Sequence, residues 1–336
     1  AENFSALKAE ALDDKNYNKK AKKQLYEFAD YYGHFDIIQQ LRKKKFVREK
    51  DSLFPSSDVL RSITIDYFGK PTKAILHKLE KYGPNFRNPL NQTPLMIAAK
   101  LGDLELIESL IEAGADRELI DNMGMTPLRV AFVEALSNEQ FRSFRFGEIY
   151  PLLAPSHLKL RINDRLIKLD AGRMEYIMLQ TLLAYYAIKM RYHEIFAVPS
   201  ILNAWCLSPK EITQLMGLLP DSILPERRKS RPYISAILAK NEIDRDSPYN
   251  RRLFVRMRHG VYTLNPCIDF AIQNQWISMF DLLHTNFMVE EGGLHQNRTI
   301  ANLMYLVRKT IEAGQTLPQW YALIQILSGD RRYKAI

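Results

Sequence analysis

The side chains with the plainest chemical potential are cationic. Arg227, Arg228, Lys229 and Arg231 crowd together just ahead of Pro232. Proline suits the first position of a helix, so a helix N-terminus is predicted there. The backbone dipole makes each cation at such an end unfavourable by about 0.3–1 kcal/mol. A bound anion would relieve this, and phosphates fit, because helix N-termini and arginines both cradle them. Between Glu226 and Gly260 ten Lys or Arg stand against four Asp or Glu, a local net of +6. The other candidate chemistry is nucleophilic, with Cys206 beside His193. Such a pair needs a third group and an oxyanion site, and the apolar run Ala204, Trp205, Cys206, Leu207 favours a structural thiol. There is no phosphate-cradling Gly-x4-Gly-Lys and no Gly-x-Gly-x-x-Gly, and His193-Glu194 lacks the second His of a zinc helix. No catalytic residue, cofactor or metal site is therefore expected.

Composition bounds what can position these groups. The chain has 336 residues, 47 basic and 38 acidic, a net of +9, with 46% hydrophobic and 25% charged residues. That is a globular composition, and the length favours two units over one. Two cysteines, Cys206 and Cys267, exclude a disulfide framework and a cysteine zinc site and fit a reducing, cytoplasmic setting. The longest apolar stretches, 176–188 and 195–209, fall short of the roughly 20 residues a spanning helix needs. The first residues carry no basic cluster followed by an apolar run, so no secretory signal is expected there. The missing initiator Met fits trimming before a small residue, or a piece of a longer chain.

A repeat organises the first half. Asn91, Gln92, Thr93, Pro94 and Leu95 lead through Gly102 into an amphipathic run ending at Gly114, and Thr126, Pro127 and Leu128 restart the pattern. The step from Thr93 to Thr126 equals the step from Gly69 to Gly102. Threonine caps a helix, proline opens it, small alanines permit close packing and glycine closes it. In both its residues and its period this pattern resembles the ankyrin repeat. Weaker copies are read around 62–85 and 26–38, giving about four repeats over 18–155, with the outer two as polar caps.

The resemblance implies a fold stabilised by stacking and a function of protein binding on hairpin tips and the concave face. Carried onto this sequence, the contact positions are Tyr31, Tyr32, His34, Phe68, Lys70, Asn91, Gln92, Met96, Lys100, Asp103, Met123, Met125 and Arg129. Exposed aromatic and Met residues suit binding hot spots.

Beyond 155, residues 158–162 and 165–169 alternate around Asn163-Asp164, as a hairpin does. A long apolar helix is predicted over 173–190, a capping box at Ser208 to Glu211 opens another, and the helix from Pro232 follows. A hairpin around His259-Gly260 turns Val255, Met257, Tyr262 and Leu264 inward. The order resembles a winged helix-turn-helix domain over 157–266. That resemblance implies nucleic-acid contacts from Arg227, Arg228, Lys229, Arg231, Ser235, Lys240, Asn241, Arg256, Arg258 and His259. From Pro266 on, with Asn265 as cap, the pattern reads as helical.

The expected fold is thus mainly α: an N-terminal arm (1–17), an ankyrin-repeat solenoid (18–155), an α+β winged-helix-like domain (156–266) and C-terminal helices (267–336). The expected function is that of a non-catalytic interaction protein. Its repeats would hold a protein partner, and its basic domain nucleic acid or a second partner. The alternative is a bacterial effector, delivered into a host cell, or an enzyme component with an unrecognised catalytic C-terminal domain. Charge divides the surfaces, since residues 91–130 carry three basic and seven acidic side chains.

Overall fold

The computed structural model describes residues 2–12, 19–32, 37, 40–41, 75, 79–80, 82–88, 90–191 and 206–283. Two helices, α1 (Glu2–Leu12) and α2 (Lys19–Tyr32), pack together through Ala11, Ala21, Leu25 and Ala29, in a small core of their own. The stretch expected as an arm therefore contains a helix.

The repeat region contributes α3 (Pro94–Leu101), α4 (Leu104–Glu112) and α5 (Pro127–Ser137). Each start is set by its sequence. The Thr93 and Thr126 hydroxyls accept from the amides of Met96 and Arg129 at 3.3 Å, and Asp103 accepts from Leu106 at 3.1 Å. Caps of this kind contribute roughly 1 kcal/mol each. Gly102 ends α3 in the left-handed region (φ 66°), where a side chain would be strained. Helix α5 packs on α3, burying Leu95, Ala98 and Ala99 with Leu128, Ala131 and Phe132.

After α5 the chain continues helically through Glu139–Phe141, a π-helical turn Arg142–Phe146, and α6 (Gly147–Leu153). The wider π turn suits side chains five positions apart facing one way, and Phe141 and Phe146 are both buried, their ring centroids 6.3 Å apart. Phe132 meets Phe146 edge-on at 5.0 Å.

Next come β1 (His157–Ile162), β2 (Arg165–Asp170), α7 (Met174–Arg191), α8 (Pro209–Gly217) and α9 (Arg231–Lys240). Strands β3 (Phe254–Arg258), β4 (Val261–Leu264), β5 (Ile268–Ile272) and β6 (Gln275–Ser278) follow, with a final turn of helix α10 (Met279–Leu282). The Ser208–Glu211 capping box forms as the sequence predicts. Helix α7 packs against α5, so one hydrophobic cluster runs from the repeats to Leu283.

Strand order in the larger sheet is β2-β1-β5-β6, all antiparallel, while β3 and β4 form a separate hairpin. The helical reading of residues after Pro266 is corrected over 268–278, which is a hairpin. Gln273 and Asn274 both take positive φ, 50° and 63°, as a tight two-residue turn demands. Asn265 donates to the Arg252 carbonyl and accepts from the Cys267 amide instead of capping a helix. Ile268, Phe270 and Ile272 all face the core, the period-two pattern of a half-buried strand. The rest of the expected C-terminal helical segment, from 284, lies outside the described residues.

Burial leaves a pH signature. It raises the phenols of Tyr150 and Tyr185 to about 12, and pushes those of Tyr176 and Tyr186 further up. A phenol whose folded value lies above its unfolded value near 10 contributes stability that is complete below pH 10 and is lost as pH rises toward 12. The last part of the tyrosinate absorbance, that of these four phenols, should therefore rise in step with loss of the helical circular dichroism signal above pH 10.

Candidate functional site

The residues that shape the repeat surface are two hairpin tips, one repeat apart. In the first, Asn88 Oδ1 accepts from the amides of Leu90 (3.0 Å) and Gln92 (2.8 Å). In the second, Asp121 Oδ1 accepts from Met123 (2.8 Å) and Met125 (2.9 Å). Asn91 and Gly124 occupy equivalent places at φ 61° and 67°. Arg87 binds the tips together, donating to the carbonyls of Asn91 and Ile120. Short polar side chains that receive two amides hold a tight turn in the absence of a long ladder.

These tips form one wall of a groove. Gln92, Lys100, Met123 and Met125 line it with Val130, Val133 and Glu134 of α5, and Ala187, Ile188 and Leu283 close it from the second half. The mixture of half-buried methionines and valines with one cation and carboxylates suits an apolar side chain framed by polar contacts. Of the contact positions expected from the sequence, Gln92, Lys100, Met123 and Met125 line this groove. Asp121, whose close spacing to Met123 is the detectable turn signal, and the wall from α7, which arrives from far along the chain, are not among them.

The other expected contact residues divide. Asn91 is exposed at its tip, while Asp103 is half-buried as the cap of α4. Met96 and Arg129 are corrected: both are interior, 1% and 4% exposed, and offer no contact surface. Met96 Sδ receives the Thr93 amide at 3.4 Å, folding back on its own helix. Tyr31 and Tyr32 end α2, their side chains outside the described residues, as are His34, Phe68 and Lys70.

Arg129 sits where the repeats meet the second half. Its Nη1 donates to the Gly124 carbonyl at 3.1 Å and its Nε to Gln180 Oε1 at 3.4 Å, and its guanidinium lies 5.2 Å from the centre of the Phe270 ring. Burial lowers its pKa to about 10, opposed by Tyr176 and Asp121. It remains a cation at neutral pH. The Tyr176 hydroxyl, buried nearby against Gln180, makes no well-formed hydrogen bond of its own.

The basic set likewise separates. Arg227, Arg231 and Lys240 are all exposed, Lys240 at the end of α9, and Ser235 on the same helix is half-buried. Arg228 donates to the Gly172 carbonyl at 3.3 Å. Lys229 and Asn241 are corrected, being 8% and 0% exposed. Lys229 bridges Asp221 and Glu226, and Asn241 donates to the Ile237 carbonyl and accepts from the Arg251 amide, so neither is available to a nucleic acid. Arg256 meets exposed His259 at 3.0 Å, and the Arg258 side chain is outside the described residues. Cys206 is half-buried, and His193 lies outside the described residues. Among the described residues no cluster of His, Cys, Asp or Glu could hold a metal ion, and no helix is long and apolar enough to cross a membrane.

The repeats have counterparts among known proteins. Residues 67–140 match the family model for ankyrin repeats, in three copies. The fourth copy expected near 26–38 lies outside that match. NF-kappa-B inhibitor alpha of Sus scrofa is 51% identical over 47 residues, 14% of this chain and 15% of that protein. The chain thus spans less than a sixth of the relative's length. No solved structure matches. Ankyrin repeats are therefore present, and repeats of this kind mediate protein–protein contacts.

Replacing Arg129 tests the junction. Arg129→Ala leaves a cavity and strips partners from the Gly124 carbonyl and Gln180, so a loss of roughly 2–4 kcal/mol is expected in denaturant unfolding. Arg129→Met, which refills the space, should recover part of it.

Proposed function

We propose that this is a non-catalytic interaction protein that holds a segment of a protein partner in the groove between its repeat tips and α7. The observation that carries the reading is the groove itself. Met123 and Met125 project from a tip held by Asp121, and Lys100 and Glu134 place opposite charges among apolar walls. Flexible thioethers conform to a varied apolar side chain, while the charges fix its orientation. The partial likeness to an inhibitor protein supports repeat-mediated binding in general and names no partner. The combined variant Lys100→Glu, Met123→Ala, Met125→Ala changes only half-buried positions. Protein captured by the full chain after nuclease treatment should fall at least ten-fold with this variant, roughly the effect of losing one hot spot. Equal capture by both forms would rule the groove out.

One observation favours a second role as well. Helices α7, α8 and α9 precede the β3–β4 hairpin, and Leu207 bridges Tyr262 of β4 through paired bonds of 2.8 and 2.9 Å. This order supports the likeness to a winged helix and, with it, nucleic-acid binding through Arg227, Arg231 and Lys240. Counting only these three exposed cations, about three phosphate contacts are expected, so log affinity against log salt should have a slope near −3. Arg227→Glu with Arg231→Glu should abolish most of that slope. A salt-independent affinity would exclude this role.

A further inference from the structure

The four-stranded sheet has a buried face and a partly exposed one. Leu160, Ile162, Ile167, Leu169, Ile268, Phe270 and Ile272 point into the core. By alternation, the opposite face carries Lys159 and Arg161 of β1, Leu166 and Lys168 of β2, Asp269 of β5 and Trp276 of β6. Lys159 and Lys168 are direct cross-strand partners, both exposed. Like charges directly opposite one another destabilise a sheet. The acids on this face do not relieve them. Asp269 accepts from Arg161 Nε and Nη2 at 3.1 and 2.8 Å, and Asp170 pairs with Arg173 at 3.4 Å.

A protective explanation covers only part of this pattern. Lysine on an edge strand discourages edge-to-edge aggregation, and β2 is an edge strand. Lys159, however, lies on the interior strand β1, where no edge needs guarding. On β2 itself Leu166 is 71% exposed beside Lys168, the opposite of protection. Trp276 is 39% exposed, its ring centre 4.9 Å from the Arg161 guanidinium, which covers one of its faces. Among the described residues, two cations without an acidic partner therefore share this face with exposed Leu166 and Trp276, which lie on opposite edge strands, and with an ion pair whose carboxylate is already committed.

We propose that this sheet face docks an extended acidic segment of a partner protein. Carboxylates would meet Lys159 and Lys168, and one large apolar side chain would rest on Leu166, with Trp276 standing on the opposite edge strand. Charge complementarity selects the acid, and the exposed leucine selects a peptide over a nucleic acid. Stacked bases need successive aromatic platforms, and here a single indole is offered with one side occupied.

The test is a selection of displayed random dodecapeptides on the full chain, with depletion on the Lys159→Glu, Lys168→Glu variant. Enriched peptides are expected to be acid-rich with one Leu, Met, Phe or Trp. Resynthesised, they should bind at least ten-fold more weakly to that variant by calorimetry, and at least three-fold more weakly to Leu166→Ser. The milder Lys159→Ala, Lys168→Ala form, which adds no new charge, should also weaken them at least three-fold. Because all these side chains are exposed, melting temperatures should not fall. The proposal is overturned if no peptide survives depletion, if survivors are not acidic, or if they bind all forms equally. Retention of a short oligothymidine by the native chain but not the lysine variants would assign the face to nucleic acid and overturn it too.

Discussion

One of the buried cations, Arg129, sets the terms for how the two halves meet. The Arg129 guanidinium is out of water, and a desolvated charge is tolerated only where acceptors and polarisable groups surround it. Those groups come from three places: the carbonyl of the repeat tip, Gln180 of α7, and the face of Phe270 on β5. Satisfying one side chain therefore fixes a tip, a helix and a strand relative to one another. The groove depends on the same junction, since its walls are the tip on one side and α7 on the other.

Gly124 adds a steric counterpart to this electrostatic one. A Cβ there would collide with the Leu282 carbonyl oxygen, so the last described helix turn closes directly onto the tip that Arg129 also grips. Positive φ and close approach both demand glycine at this one position. Repeat stacking ordinarily ends in a polar cap. Here the exposed end of α5 is covered by α7 and the sheet, which extend the hydrophobic cluster without extending the repeat.

What could be read from the sequence follows the range over which each signal acts. Caps, helix starts and tips are local, and the repeat period restates them, so Thr93, Pro94, Gly102 and Thr126 announce their roles. The hairpin at Asn163-Asp164 and the capping box at Ser208 are local in the same way. Arg129 misleads because its position in the repeat suggests surface, while the groups that bury it, Gln180 and Phe270, lie far along the chain. Lys229 and Asn241 look like a basic helix's contacts, yet Asp221 and the Arg251 amide claim them. For β5 and β6, Phe270, Ala271 and Trp276 satisfy helical spacing as well as strand alternation, and the paired positive-φ residues that decide between them are ordinary Gln273 and Asn274. The π turn leaves only the spacing of Phe141 and Phe146 as a trace.

The closure of Leu282 onto Gly124 also has a meaning in time. The tip leaves the ribosome well ahead of its cover, and at about 5–20 residues per second the delay is on the order of 10–30 s. Local helix pairs of the repeat assemble well within that interval, leaving the unfinished end of α5 facing water. A cation at that end, hydrated until Phe270 arrives, keeps the waiting surface from behaving as a bare apolar patch. The side chain that later locks the junction is thus, in that interval, a hydrated charge on an otherwise apolar surface.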